Sequence, residues 1–212
     1  MKLFCLIITL LAFNFSWINA QVNFTELSDP ETFIKAMRSA AKDTRSLTSD
    51  FRQIKHLDVL SEDAISTGRL IYREDNKLRW EYLSPFKYLI IMKDGQLYIN
   101  DDGKSKTYNL NKNKTLSKIN ELITRSIKGE LFEKDKAYSQ QFMENNKSYL
   151  VILSPQDQKT KQFMKEIHLT VSKKTMNVAS FKMIEKSGDF TQMIFNNKKI
   201  NAPVPDDLFL AE

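Results

Sequence analysis

The chain has 212 residues, one cysteine and a formal net charge of +6 at pH 7. This length fits one domain of ordinary size with a sizeable core. The basic residues are scattered among polar and acidic ones, which favours a solvated surface and argues against a dedicated nucleic-acid-binding stripe. A weak attraction to anionic lipid headgroups or acidic partners is the alternative interpretation of the charge.

Residues 1–20 have the pattern of a secretory signal peptide. Lys2 supplies the positive charge, residues 3–13 form an almost unbroken apolar run, and Ala20 is a small residue at the expected cleavage point. The run is too short to span a bilayer, and an uncleaved anchor is the alternative. Cys5 lies ahead of most of the apolar run rather than at the cleavage point, so lipidation is not expected.

The sequence therefore predicts a secreted protein with one domain at 21–212. This domain carries a net charge of +5 (+6 less Lys2) and no cysteine. It can form no disulfide, and it has no thiolate to act as a nucleophile or a metal ligand. It also lacks a second apolar run near the ~18 residues of a transmembrane helix.

The domain begins with a predicted helix. Asp29 is a suitable N-cap, and Pro30 suits the first helical position. Phe33 and Met37 then recur at helical spacing, which extends the predicted helix to about Thr44.

After this helix the periodicity changes to two, which predicts short antiparallel strands. The first group of predicted strands covers 47–57, 64–74, 77–83, 86–93, 96–101 and 105–110. Asp94-Gly95 and Asp102-Gly103 between apolar runs are strong hairpin signals.

One of these strands alternates clearly. Leu78, Trp80 and Tyr82 fall on one face, whereas Arg79 and Glu81 fall on the other. We expect only the first face to be buried or to meet a ligand.

The middle of the chain returns to helical spacing and predicts a helix at 115–128 that ends at Gly129. A second group of predicted strands covers 137–143, 148–154, 164–172, 178–186 and 189–197. The closing segment, 203–210, is expected to lie against the sheet edge. About eleven short strands joined by tight turns predict a mainly β meander curled into a barrel or half-barrel with internal space.

The sequence shows no catalytic or metal-binding constellation. His56 and His168 each lack a Cys or His partner at zinc-ligand spacing. The motifs H-E-x-x-H, G-x-S-x-G, Walker A and G-x-G-x-x-G are missing, and residues 101–103 lack the alternating oxygen ligands of an EF-hand loop. We therefore predict a protein that is not an enzyme and that needs no metal or cofactor.

Five short motifs occur in an order and spacing typical of one family. They are Ser49-Asp50-Phe51-Arg52-Gln53, Gly68-Arg69-Leu70-Ile71-Tyr72, Leu78-Arg79-Trp80-Glu81-Tyr82 with Ser84-Pro85 beyond it, Asp94-Gly95-Gln96-Leu97-Tyr98-Ile99, and Asn201 followed by Pro205-Asp206-Asp207-Leu208-Phe209. Together they resemble the LolA-like periplasmic lipoprotein carriers, and more closely those of Bacteroidetes type. The resemblance spans nearly all of 21–212.

The resemblance implies an open antiparallel β-barrel, or half-barrel, covered by a helical lid. It also implies a monomeric chaperone that accepts a triacylated lipoprotein from an inner-membrane ABC transporter. The chaperone would shield the acyl chains across the periplasm and release them to an outer-membrane acceptor.

With this resemblance, the apolar faces predict a ligand cavity and a lid. The expected cavity residues are Phe51, Leu70, Tyr72, Leu78, Trp80, Tyr82, Ile90 and Met92. The expected lid residues are Leu116, Ile119, Leu122 and Ile123. Periodicity alone leaves open a closed core built from the same residues.

One family feature is displaced in this sequence. In the best-studied branch, a Lys-Arg-Pro run follows the glycine strand, and its arginine holds the lid. Here the run reads Arg73-Glu74-Asp75, so the family's arginine position falls on Glu74. Arg73 and Arg79 are the candidate latches, and each is equally an ordinary surface charge.

Energetics limits how tightly such a carrier can bind. Each buried CH₂ contributes about 0.8 kcal/mol, so three fully sheltered acyl chains would exceed the practical ceiling of about 18–21 kcal/mol. Binding is therefore incomplete or is offset by opening a lid. The alternatives are a carrier of another lipid or hydrophobic precursor, and a periplasmic sensor or adaptor that binds exported protein.

Overall fold

A computed structural model describes residues 23–112, 124, 125, 127 and 137–210. The predicted signal peptide lies outside these residues, as do the predicted lid residues Leu116, Ile119, Leu122 and Ile123. Of the predicted helix at 115–128, Thr124, Arg125 and Ile127 are described, and all three are helical.

Helix α1 spans Pro30–Ala41 and begins where the sequence predicts. The Asp29 side chain caps it by accepting a 3.0 Å hydrogen bond from the backbone N–H of Thr32 and a 2.6 Å bond from its hydroxyl. These bonds hold the pKa of Asp29 below its ordinary value. Phe33 and Met37 form the buried stripe of the helix.

Within the described residues, twelve strands form one antiparallel sheet. In chain order they are β1 (Thr25–Glu26), β2 (Ser46–His56), β3 (Ala64–Arg73), β4 (Lys77–Ser84), β5 (Tyr88–Lys93), β6 (Gln96–Asp101), β7 (Lys104–Asn109), β8 (Tyr138–Glu144), β9 (Ser148–Pro155), β10 (Met164–Ser172), β11 (Val178–Glu185) and β12 (Phe190–Ile200). All but β1 coincide with predicted strands to within three residues at each end. A single helical turn, α2 (Gln158–Lys161), lies between β9 and β10.

The strand order is β1-β8-β9-β10-β11-β12-β2-β3-β4-β5-β6-β7, so two meanders join where β12 pairs with β2. The sheet is open, with β1 and β7 at its two edges. The predicted open half-barrel is confirmed. Two of its hairpins turn at Asp94-Gly95 and Asp102-Gly103, where all four residues have positive φ, as a two-residue turn of this kind requires.

The apolar side chains form three clusters. The α1 cluster comprises Phe33, Met37, Val151, Leu153, Met164, Ile167, Leu169 and Val171. The β3–β6 cluster comprises Leu70, Tyr72, Leu78, Met92, Leu97 and Leu110, and Ile127 packs against it. The third cluster joins Ile71, Ile91 and Phe209, and it lies on the other face of β3 because successive strand residues point to opposite faces.

The closing segment belongs to this third cluster. Phe209 is fully buried against Ile71 of β3 and Ile91 of β5, which are interior strands of the sheet. The expectation that 203–210 lies at the sheet edge is therefore wrong. The segment crosses a face of the sheet because burying Phe209 there removes a large aromatic surface from water.

Asn201 holds the start of this segment in place. Its side-chain oxygen accepts a 2.8 Å hydrogen bond from the backbone N–H of Arg45, and its amide donates a 2.9 Å bond to the carbonyl of Asp43. The Ser46 hydroxyl donates a 2.7 Å bond to the carbonyl of Ala202. These bonds give the motif asparagine a structural role at the junction of β12 and β2.

Candidate ligand-binding cavity

A cavity of about 920 Å³ lies between α1 and the strands on the concave side of the sheet. Its walls come from α1, α2, β2, β3, β4 and β8 to β12, with Arg125 and Ile127 from the central helical segment. This volume is near the upper end of the ~300–1,000 Å³ typical of ligand sites.

The walls are mainly apolar and include side chains that can adapt their shape. Five methionines among the described residues line the cavity: Met37, Met164, Met176, Met183 and Met193. A thioether side chain is flexible and polarizable, so such a wall can fit an irregular apolar ligand. Phe181 and Phe195 add rigid aromatic surface.

Two of the predicted cavity residues, Leu70 and Trp80, line the cavity. They are cross-strand partners on β3 and β4. Tyr82 does not line it, and its hydroxyl donates a 2.9 Å hydrogen bond to the side chain of Gln53. Phe51 is buried beside both rings, with centroid distances of 5.6 Å to Trp80 and 5.1 Å to Tyr82.

The other predicted cavity residues lie in closed packing. Tyr72, Leu78 and Met92 are buried members of the β3–β6 cluster, and Ile90 packs against it. The described part of the chain thus brings all eight residues to one region of the sheet, but only two of them reach the cavity wall. Contact between these residues and a ligand stays a prediction.

Strands β10 to β12 supply ten of the sixteen described strand residues that line the cavity, and the sequence reasoning did not single them out. Ile167 and Leu169 of β10, Phe181 and Met183 of β11, and Met193 of β12 alternate with residues on the other face. This period of two was visible in the sequence. It indicates an apolar face, but it does not indicate whether that face packs closely against other elements or lines a cavity.

The cavity wall also contains a few charged residues. Lys198, Arg125 and Lys159 are its basic lining residues, and Asp157 is acidic. The Asp157 side chain caps α2 by accepting a 2.9 Å hydrogen bond from the backbone N–H of Thr160. The ammonium of Lys198 donates to the carbonyl of Val178, and burial lowers the pKa of Lys198 to about 8.

Both candidate latch arginines bind the closing segment. Arg73 donates a 3.0 Å hydrogen bond to the carbonyl of Val204, and Arg79 donates one of 3.0 Å to the carbonyl of Leu208. Both project from the face of the sheet opposite to Leu70, because strand residues alternate. A latch between either arginine and the lid stays a prediction, since the predicted lid residues lie outside the described part of the chain.

Carboxylates surround one of these arginines. Asp75 accepts hydrogen bonds from Arg73 at 2.9 and 2.8 Å, and Asp206 binds both Arg73 and Lys77. Bonding to Arg73 holds the pKa of Asp75 well below its usual range, and it also lowers the pKa of Asp206. The group ties the closing segment to the β3–β4 turn.

The two histidines lie away from the cavity. His56 Nδ1 lies 2.7 Å from Asp63 and its Nε2 lies 3.2 Å from Asp58, contacts that raise the pKa of His56. His168 Nε2 lies 2.8 Å from a carboxylate oxygen of Glu166. Within the described ranges, no three His, Cys, Asp or Glu side chains are grouped to hold a metal ion.

A membrane-spanning helix is not found in the described parts of the chain, where every helix is too short or too polar to cross a bilayer.

Comparison with known proteins identifies a family. Residues 42–212 match the family model described as outer membrane lipoprotein carrier protein LolA. No curated protein sequence matches significantly.

Among solved structures, MucB aligns with a TM-score of 0.51 at 13% identity, over 85% of this chain and 62% of that one, which shows a shared fold. A chain from the Pseudomonas aeruginosa MucA/MucB complex aligns with a TM-score of 0.48 at 13% identity, over 85% of this chain and 60% of that one. The present chain therefore covers about three fifths of the length of these two structures. Lipoprotein LppX of Mycobacterium tuberculosis aligns with a TM-score of 0.45 at 11% identity, over 84% of this chain and 99% of that one.

Proposed function

The chain belongs to the LolA family of outer membrane lipoprotein carrier proteins, and we propose that it is a periplasmic chaperone for lipoproteins. It would bind their acyl chains in the cavity and carry them from the inner to the outer membrane. An inner-membrane ABC transporter would load it, and an outer-membrane acceptor would unload it. Assignment to the Bacteroidetes-type branch and export through a cleaved signal at 1–20 are part of the same proposal.

The observation that carries this proposal is the apolar cavity of about 920 Å³ beneath α1. Sheltering methylene groups there contributes about 0.8 kcal/mol each, which is ample to extract an acyl chain from water. The methionine-rich wall suits acyl chains of different length and branching because its side chains can rearrange at small cost. Binding that displaces the predicted lid would keep the net affinity low enough for release.

A cavity-blocking variant tests the proposal. Ala41 lines the cavity at the end of α1, whereas its neighbour Ala40 is exposed. Ala41→Phe should fill part of the cavity, and Ala40→Phe is the matched control with the same change in size. In cells depleted of the wild-type protein, we expect Ala40→Phe to restore lipoprotein sorting and Ala41→Phe to leave lipoproteins in the inner membrane.

Two results would contradict the proposal. One is unchanged lipoprotein sorting after depletion, and the other is full complementation by Ala41→Phe. Mass spectrometry of material extracted from the purified protein would then identify another lipid or a hydrophobic precursor. Co-purification of an exported protein without lipid would favour a sensor or adaptor.

A further inference from the structure

Strand β12 contains a bulge beside the cavity. Asn196 pairs with Asp50 and Lys199 pairs with Thr48, so β12 has one residue more than β2 over this interval. The additional residue sits at Asn197, which has φ 52, a left-handed conformation that asparagine tolerates. Its side-chain amide donates a 2.8 Å hydrogen bond to a carboxylate oxygen of Asp50, which holds the bulge in place.

The bulge changes which side chains face the cavity. Phe195 and Ile200 both line it although they are five positions apart, an odd separation that a regular strand would place on opposite faces. Because the alternation is reset at Asn197, Lys198 lies on the cavity wall with them. A β-bulge can re-aim a side chain in this way, and bulges are frequent next to functional sites.

The surroundings of Lys198 are mainly apolar. Its ammonium lies 5.5 Å from the centroid of the Phe195 ring and donates to the carbonyl of Val178. An ammonium has three donors, and within the described part of the chain only one of them has a protein acceptor. Among the described residues, none of its contacts is with a carboxylate, and burying such a charge unpaired is unfavourable.

We infer that Lys198 binds the anionic group of an amphiphile whose acyl chains occupy the cavity. This inference rests on the proposed function and narrows its ligand class to acyl compounds that carry a phosphate, sulfate or carboxylate near the chains. The basic lining residues Arg125 and Lys159 favour the same charge. The anion has two possible sources, which are the lipid headgroup and an acidic residue beside a lipidated cysteine.

Two matched ligand pairs test this inference with the domain that starts at Gln21. The first pair is 1-myristoyl-lysophosphatidic acid against 1-myristoylglycerol, which share the acylglycerol and differ in the phosphate. The second pair is a diacylated lipopeptide with Asp after the lipidated Cys against the same lipopeptide with Asn. Titration calorimetry gives the dissociation constant for each.

We expect the anionic member of at least one pair to bind about tenfold tighter or better, the gain expected from a charge-assisted hydrogen bond. Lys198→Met should abolish this preference while leaving the neutral ligand bound, and Lys198→Arg should retain it. Lys199→Met is the matched control, since Lys199 is exposed and pairs with Thr48 on the other face. A preference confined to one pair identifies the source of the anion.

Two outcomes overturn the inference, and they are distinguishable. Equal binding of anionic and neutral ligands, or a preference that survives in Lys198→Met, overturns the role of Lys198 and leaves the carrier function standing. Failure of every acyl ligand to bind overturns the proposed function and this inference together.

Discussion

Gly68 occupies a position that no other residue can take without distortion. An ideal Cβ added there would lie 2.0 Å from the carbonyl oxygen of Glu81 and 2.5 Å from Cζ of Phe51. The first atom is backbone in the adjacent strand, so relief requires β3 and β4 to separate, and the second belongs to a buried ring. Overpacking typically costs about 1–3 kcal/mol, and this double contact places Gly68→Ala at about 3 kcal/mol or more.

Equilibrium urea denaturation of Gly68→Ala measures this free energy of unfolding. Gly103→Ala is the control, because its Cβ would meet nothing within 4 Å and only its φ of +86 opposes the change. We expect a loss of about 1 kcal/mol for that control. A Gly68→Ala protein within 1 kcal/mol of wild type would refute the reasoning. The presence of glycine at position 68 would then have to be explained by something other than the close approach of Glu81 and Phe51.

Three other predictions concern charged groups. Lys198→Met should raise the free energy of unfolding at pH 7 by about 1 kcal/mol, as measured by urea denaturation. The reason is that burial lowers the pKa of Lys198 to about 8, so keeping its ammonium protonated in the folded state is unfavourable. The control Lys199→Met should leave the free energy of unfolding unchanged. The pKa of His56, read from its ring-proton NMR shifts, should lie above 6.5 and fall in Asp63→Asn. Because the pKa of His56 is raised in the folded state, protonated His56 stabilises the fold fully below pH 6.5, and this stabilisation is lost as the pH rises through the folded-state pKa. A free energy of unfolding that does not change with pH in this range would contradict the prediction. Arg79→Ala should increase hydrogen exchange and proteolysis in 203–210, and unchanged protection would show that burial of the segment alone holds it.

The parts of the fold that local patterns control could be predicted from the sequence. The cap at Asp29, the Asp-Gly hairpins and the alternation of each strand depend on residues a few positions apart. The pairing of β12 with β2 joins residues that are 134 to 153 positions apart, and the periodicity of a single segment carries no information about such distant partners. For the same reason the partners of Arg73 and Arg79, which are 131 and 129 residues away, were not predicted.

The site was only partly predictable, for a related reason. Leu78 and Trp80 have the same alternation, yet Leu78 is in closed packing and Trp80 lines the cavity. The difference depends on the distance between facing elements, which the pattern of one strand does not contain. Lys198 was missed because the predicted strand ends at 197, and because the bulge at Asn197 turns Lys198 to the face that carries Phe195.

Fluorescence of Trp80 tests the central claim, that acyl chains occupy the cavity. The chain from Gln21 onward contains no other tryptophan, and the Trp80 ring lines the cavity wall. A diacylated lipopeptide with brominated acyl chains should quench this emission at micromolar concentration, whereas the unbrominated lipopeptide should not. Quenching should be weakened in Ala41→Phe and retained in Ala40→Phe. Binding detected by calorimetry without quenching of Trp80, or no binding at all, would contradict the account.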